Sequence, residues 1–372
     1  MTTLSKPYCK WYRTTLDGRA DGPTRGVCRQ RRRRRSTLPS DTEVSPVPTD
    51  PIEELEERIG ESRVTVEGFR IEPGKVEEFA RSITDPLPAF RDAEAARAAG
   101  LEDVPAPLTY ARVSRFPRYQ AHDQGGYGFD LGFQPEYVLH GEQTYEFERP
   151  LTVGDVLTGT TTLSDVYQRD GGRAGTMTFA IYETTYRDQN DELVLTDRST
   201  VIETEGAVDN GDDDAPASDD DDGASDVSAP DAESVETLQS LADASVGDTG
   251  PTVVVEDLER KHFVKYAGAS GDFNPIHYDE PYARDAGNPS VFGQGMFTAG
   301  VASRVATDWF ALADIDSFSV RFQSQVFPGD TIVATGEITD ISDAGTVEVT
   351  LEAATAAGET LLTGTATATL EE

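Results

Sequence analysis

The chain repeats itself. Setting Gly154-Asp155 over Gly329-Asp330, an offset of 175 residues, brings Phe147 onto Phe322, Leu151 onto Val326, Leu163 onto Ile338, Asp165 onto Asp340 and Val166 onto Ile341. Upstream, Phe79-Ala-Arg81 echoes Phe263-Val-Lys265, and Ala95-Ala-Arg-Ala-Ala-Gly100 echoes Tyr282-Ala-Arg-Asp-Ala-Gly287. Order and spacing agree along both copies. The chain is therefore expected to fold as two copies of one helix-plus-sheet unit, each bringing the same apolar pattern to be buried.

Periodicity places elements within each copy. In the first, Pro51–Ile59 reads as a short amphipathic helix and Arg63–Ile71 alternates like a strand. Lys75–Thr84 is a helix with Val76, Phe79, Ala80 and Ile83 on one face, and Phe90–Ala99 is a second helix stopped at Gly100. Tyr127–Phe133, rich in Gly and aromatics, suits a pocket rim. Glu142–Phe147, Val156–Val166, Gly175–Arg187 and Leu193–Glu203 are expected strands. The second copy offers helices at Glu256–Ala269, Glu280–Ala286 and Met296–Leu312, the last crowded with small residues as in a helix wrapped by a sheet. Strands are expected at Ser317–Phe322, Thr331–Asp340, Thr346–Ala354 and Thr360–Leu370.

Composition divides the rest. The 372 residues suffice for two domains and carry a formal charge of -36. The first 36 residues hold 11 Lys+Arg and 2 Asp+Glu, which leaves 21 against 66 in the other 336, a net of -45. Residues 1–50, with Arg31–Arg35 among Ser, Thr and Pro, read as a disordered basic tail, explained most simply by an upstream start that appends non-native sequence. The folded halves are expected at 51–205 and 251–372. Between them, 206–250 reads as an acidic disordered linker carrying Asp212–Asp214 and Asp219–Asp222, with one helical turn at Val235–Leu241. A surface this acidic disfavours nucleic acid and anionic membranes, and no apolar run approaches the roughly 18 residues of a membrane span. Cys9 and Cys28 give neither a disulfide framework nor a zinc spacing. The expected setting is cytoplasmic, and the excess of Asp over Lys suggests a salt-rich one.

Chemistry concentrates in Gly271-Asp-Phe-Asn-Pro-Ile-His277. On a helix, five residues would set Asp272 and His277 about 140° apart. Pro275 biases Asn274 out of the helical region and makes the segment a loop, on which both side chains can turn to one pocket. A carboxylate and an imidazole converging on one water form a minimal kit for adding or removing water at a polarised double bond. This loop, with Pro281–Gly287, Val291-Phe-Gly-Gln-Gly-Met296 and Ser319–Asp330, resembles MaoC-like (R)-specific enoyl-CoA hydratases and hydroxyacyl dehydratases over most of residues 250–372.

The resemblance implies an α+β tandem (double) hotdog, each half a long central helix wrapped by an antiparallel β-sheet. It implies Asp272 and His277 as catalytic residues, with Asn274 orienting the water. Glycines let backbone approach a ligand, so Gly293 and Gly295, leading into Met296 and preceded by Phe292, are the expected oxyanion and substrate-binding residues at a helix start. The first half has Ser82-Ile-Thr-Asp-Pro-Leu-Pro-Ala89 where the second has its loop. No His follows at the required distance, so that half is expected to be catalytically empty, a wall for the acyl group. His140 is read as structural or substrate-lining; His122 and His262 carry no usable pattern. No metal or cofactor is expected, coenzyme A being part of the substrate, an acyl-CoA.

The favoured activity is hydration of the 2,3 double bond of an enoyl-CoA to the (R)-3-hydroxyacyl-CoA, or the reverse, including the branched dicarboxylic variant that hydrates mesaconyl-CoA. A hotdog thioesterase and a non-catalytic acyl-CoA-binding protein are the alternatives. Assembly as a homodimer and pairing of the two halves within one chain both stay open.

Charge repulsion this strong is screened in concentrated salt, where the Debye length falls to about 3 Å at 1 M. The melting temperature should therefore rise from low to multimolar KCl; a flat profile would remove the salt-adapted reading.

Overall fold

The computed structural model describes residues 50–116, 127–134, 137–170, 175–204 and 235–371. The basic tail to residue 49, most of the acidic linker and His122 lie outside them. Six α-helices are assigned among the described residues: α1 (Ile52–Glu56), α2 (Pro73–Ser82), α3 (Ala93–Ala98), α4 (Arg260–Ser270), α5 (Glu280–Asp285) and α6 (Gly295–Trp309). The strands are β1 (Ser62–Arg70), β2 (Val138–Phe147), β3 (Val156–Asp170), β4 (Thr176–Arg187) and β5 (Leu193–Thr204) in the first half. The second half contributes β6 (Val253–Val255), β7 (Ile315–Phe322), β8 (Ile332–Ile341), β9 (Thr346–Thr355) and β10 (Thr360–Thr369).

All ten strands belong to one antiparallel sheet in the order β1-β3-β4-β5-β2-β7-β10-β9-β8-β6. Each half supplies five, and the second five run in the reverse order of the first. The join lies at β2 and β7, where Thr144 faces Ser319 and their hydroxyls meet at 2.8 Å. These residues are 175 apart, the offset of the repeat, so a pseudo-twofold axis passes between them. An unpaired strand presents a row of bare N–H and C=O groups; here each half covers the other's.

The Gly-Asp pairs that mark the repeat are the same turn used twice. Gly154 and Gly329 adopt φ of 104° and 98°, which glycine tolerates without strain. The following carboxylates, Asp155 and Asp330, accept from the N–H of Thr152 at 2.9 Å and of Phe327 at 2.7 Å. Upstream the structure corrects the alignment. Phe79 stacks edge-on against Tyr110 at 5.4 Å, as Tyr266 does against Phe297 at 5.9 Å. Phe79 thus matches Tyr266, one helical turn beyond Phe263, with an offset of 187. The two equivalents meet across the axis at 5.8 Å, in the contact between α2 and α4.

The halves differ in their centres. In the second, α6 lies against β6 to β10 and is buried along most of its length. In the first, the expected long central helix is absent among the described residues. Its place holds a six-residue 3-10 helix, Tyr110–Arg115. Arg112 and Arg115 stand where α6 has Ala299 and Ala302, and a guanidinium under a sheet needs polar partners rather than close apolar packing. Arg115 finds them: it pairs with buried Asp197 at 3.0 Å and donates to Thr184 at 2.7 Å.

Smaller departures have local causes. Helix α4 begins at Arg260 rather than at residue 256 because Glu259 caps it, with His262 Nδ1 accepting from the Glu259 N–H at 2.9 Å. Val235–Leu241 is not a helical turn; a 3-10 turn forms at Leu241–Asp243. The expected helix Phe90–Ala99 is divided into a 3-10 turn, Pro88–Phe90, and α3, whose N-terminus Asp92 caps. Strand β6, three residues on the sheet edge, carried too little alternation to be seen.

Gly300 of α6 packs closely against the first half. A Cβ there would stand 2.5 Å from the Ile83 Cγ2. Gly300→Ala should therefore destabilise the fold by about 1–3 kcal/mol through overpacking, and Ile83→Val in the same chain should recover part of it, as read by thermal or denaturant unfolding.

Candidate active site

Helix α4 stops at Gly271, in the left-handed region at φ 90°. A Cβ at Gly271 would strike the Phe116 Cβ at 2.7 Å and its ring at 2.8 Å, so the first half closes directly over this turn. Pro275 then opens a 3-10 turn, Pro275–His277, with Asn274 extended before it at φ -59° and ψ 123°. The segment is thus not α-helical, as expected, and the turn carries His277 inward while Asp279 caps α5.

Buried His277 shares a 2.9 Å hydrogen bond between its Nδ1 and the Phe292 carbonyl, and its ring meets that of Phe292 edge-on at 5.2 Å. A carbonyl only accepts, so Nδ1 carries the proton and Nε2 is left as the basic nitrogen. Burial pushes the imidazole below its ordinary value of 6.5, against the opposing pull of the Asp272 carboxylate and the Phe292 bond. The result is a neutral base at physiological pH, within electrostatic range of Asp272. That carboxylate is tied only loosely, by a 3.4 Å contact from the Asn274 N–H. The Asn274 Oδ1 accepts from the Ile276 N–H at 3.2 Å and caps the turn that bears His277. Its side chain is exposed.

The start of α6 lies beside this turn through Phe292. Gly295 and Met296 occupy its first two positions, whose N–H groups have no intrahelical acceptor and sit at the positive end of the helix dipole. Gly293 does not belong with them. Its N–H is spent on the Val326 carbonyl at 2.8 Å, and a Cβ would meet Val326 at 2.7 Å and Phe263 at 2.9 Å. Gly293 is there for close packing. The sequence reading passed over Gln294, which is buried and joins the two parts of the site: its Nε2 donates to the carbonyls of Phe263 at 3.2 Å and Asp272 at 3.4 Å.

With the offset of 187, the first half shows what became of its own loop. Thr84, at φ 59°, replaces Gly271; Asp85 replaces Asp272; Pro88 replaces Pro275; and Phe90 replaces His277. The carboxylate survives and the base does not. Asp85 is buried, accepts from the Leu87 N–H at 2.9 Å, and is pushed up to about 6, chiefly by burial. Phenylalanine cannot move a proton, so this copy lacks the pair.

What the first half does contribute is polar. Arg112 lies within electrostatic range of Asp272, Tyr145 and Tyr266. His140, ring to ring with Phe322 at 5.0 Å, is driven down to about 3 by burial and then by the Arg112 charge, so it is neutral. Phe322 in turn lies 3.2 Å from where a Cβ on Gly295 would be, which places His140 near the start of α6. Neither Arg112 nor the two tyrosines carried a signal in the sequence; they come from the first half's 3-10 helix, from β2 and from α4.

Comparison with known proteins agrees with this geometry. Residues 58–197 match the family described as "FAS1-like, dehydratase domain region" and residues 243–357 the "MaoC like domain". A UPF0336 protein of Streptomyces avermitilis is 34% identical over 108 residues, 29% of this chain and 70% of that protein. The peroxisomal enoyl-CoA hydratase 2 of Arabidopsis thaliana is 29% identical over 213 residues, 55% of this chain and 62% of that one. Among solved structures, a MaoC-like dehydratase superposes with a TM-score of 0.68 at 25% identity, covering 85% of this chain and 100% of its own. A double-hotdog protein of Mycobacterium tuberculosis superposes with a TM-score of 0.56 at 18% identity, covering 86% and 97%. With both halves matched and the ten-stranded sheet in place, the chain belongs to the MaoC-like dehydratase family and has the double hotdog fold.

Proposed function

We propose that the protein adds water to, or removes it from, the 2,3 position of an enoyl-CoA thioester, with the (R)-3-hydroxyacyl-CoA as partner species. The observation that carries this is a neutral, oriented imidazole and a loosely held carboxylate on one short turn, beside the free N–H groups that open α6. Water would sit between Asp272 and the His277 Nε2. Its oxygen bonds to C3 while its proton is taken by the pair, the C2–C3 π electrons move toward the thioester, and a proton returns to C2. The negative charge that develops on the thioester oxygen is met by the Gly295 and Met296 N–H groups. Asn274 and Gln294 are positioning residues: one fixes the turn, the other ties the Asp272 backbone to α4 and α6. The peroxisomal relative's name supports the reaction class, and the sequence resemblance supports the (R) configuration.

General acid–base groups contribute roughly 10²–10⁴-fold. Asp272→Asn and His277→Gln should each lower kcat by about that factor with KM little changed, measured on crotonyl-CoA hydration. Because both act on one water, the double variant should lose far less than the product of the two effects. Folded single variants that hydrate every enoyl-CoA at the normal rate would reject the site, and release of free coenzyme A would indicate a thioesterase instead.

The pH profile has a determined sign. Activity needs neutral His277, whose value is lowered from 6.5, so kcat/KM should hold as pH falls through 6.5 and decline only below it. Asp272 works to raise that value, so Asp272→Asn should move the His277 titration further to acid, as followed by NMR of the imidazole. A titration at or above 6.5, or a shift upward in Asp272→Asn, would contradict this electrostatic account.

A further inference from the structure

Between His277 and Phe292 the chain makes an excursion that is exposed along most of its length. It runs through α5 and the Gly287 turn, then returns to the carbonyl that fixes the His277 tautomer. One carboxylate fastens its base. Glu280, three residues beyond His277, accepts from the Ser290 hydroxyl at 3.2 Å, and Ser290 stands two residues before Phe292. Together with the 2.9 Å bond between the imidazole and the Phe292 carbonyl, this closes a small ring. It runs along the chain from His277 to Glu280, across to Ser290, along to Phe292 and back to the imidazole. The same oxygen of Glu280, Oε2, is bonded by Arg260, the first residue of α4. That helix ends at Ser270, two residues before Asp272. The other oxygen, Oε1, accepts from the Arg284 Nε at 2.8 Å, a contact within α5. Glu280 thus joins the segment that bears the base, the segment that orients it and the helix that leads to the carboxylate. Its side chain is 22% exposed, against 51% for Arg260 and 64% for Arg284, so it sits inside this cluster rather than on its rim. Farther out, the Gln325 Nε2 donates to the Asn288 Oδ1 at 3.2 Å, which gives the tip of the excursion a tie of its own.

We propose that Glu280 is a positioning residue for His277: through Ser290 and Arg260 it keeps the Phe292 carbonyl against the imidazole, and so keeps the ring in the Nδ1–H form with Nε2 free. The effect on rate rests on the hydratase reading; the effect on the ring proton does not. A single neutral hydrogen bond at the base of an exposed excursion contributes little against the entropy of the chain it closes. Hydrogen bonds to an ionised acceptor are roughly twice as strong as neutral ones, and Glu280 collects such bonds on both of its oxygens. Which nitrogen of a histidine carries the proton is set by the bond the other makes. If the Phe292 carbonyl moves away, nothing holds the proton on Nδ1. The Arg284 hydrogen bond, and then the Arg260 charge, hold the Glu280 carboxyl below its ordinary value of 4.5, so the tie stays ionised throughout the range in which His277 is neutral.

The test uses the full-length protein labelled with nitrogen-15 histidine, the His277 signals being assigned by comparison with His277→Gln. In the wild type, Nδ1 should read as protonated and Nε2 as bare. Glu280→Ala and Ser290→Ala should each move the balance toward the Nε2–H form. Each should also lower kcat for crotonyl-CoA hydration by roughly 10-fold with KM little changed, short of the 10²-fold that a 1 Å misplacement can cost. Ser290→Thr, which keeps the hydroxyl, should behave as the wild type in both measurements. Arg284→Ala is the control: it removes the bond to Oε1, leaves the ring closed, and should change neither. A Glu280→Ala protein with the wild-type tautomer and kcat overturns the proposal and makes the carboxylate a surface ion pair. So does an equal loss in Arg284→Ala, which would trace the effect to the stability of α5. If Glu280→Ala fails to fold, Ser290→Ala, which removes a single oxygen, decides the question by itself. Should no enoyl thioester be hydrated, a tautomer change in Ser290→Ala would still uphold this inference while the hydratase reading falls.

Discussion

The pairing of β2 with β7 is the contact on which the rest of the molecule depends. Each half presents one strand whose outer backbone groups need partners, and each supplies the other's. Joined at Thr144 and Ser319, they turn two five-stranded sheets into one of ten strands. That join brings α2 against α4 and sets Phe79 on Tyr266. It also carries Tyr145, the residue after Thr144, into electrostatic range of Tyr266 on α4, more than a hundred residues away in the chain. The site is therefore a product of the duplication rather than of one copy.

Duplication allowed the copies to diverge in complementary ways. The second kept the turn with both ionisable groups, and with it a long, small-residue helix whose first N–H groups are free. The first kept Asp85 but placed Phe90 where the imidazole would be, and among the described residues it carries a 3-10 segment bearing two arginines where the second has its helix. One of these, Arg115, pairs with Asp197 and donates to Thr184. The other, Arg112, donates to the Tyr127 hydroxyl and lies within electrostatic range of Asp272.

Much of the site was legible locally. Pro275 dictates an extended Asn274, and an Asx-type cap followed by a 3-10 turn is then the short route that turns His277 inward. The Gly-Asp turns were legible for the same reason: positive φ and a carboxylate two bonds from its own backbone are properties of a few adjacent residues. One local reading failed where a neighbour from elsewhere changed the role. Gly293 sits in a sequence that suits an oxyanion hole, but the Val326 carbonyl takes its N–H. Gln294 stood in plain view between two glycines, with nothing in its own segment to show that its amide reaches back to Phe263.

The order of most elements and the repeat were thus determined by the sequence alone, because hydrophobic period, proline and glycine act over one to four residues. The tertiary structure alone decided which faces of the repeat meet and that, among the described residues, the first half has no long central helix. It alone also brought Arg112 and Tyr266 into electrostatic range of Asp272. Arg112 is far from both in the chain, and each looks ordinary in its own element: an arginine after a tyrosine, a tyrosine in a helix. A buried charge becomes meaningful only when the partners it lacks can be inspected, and that inspection requires the packed interior.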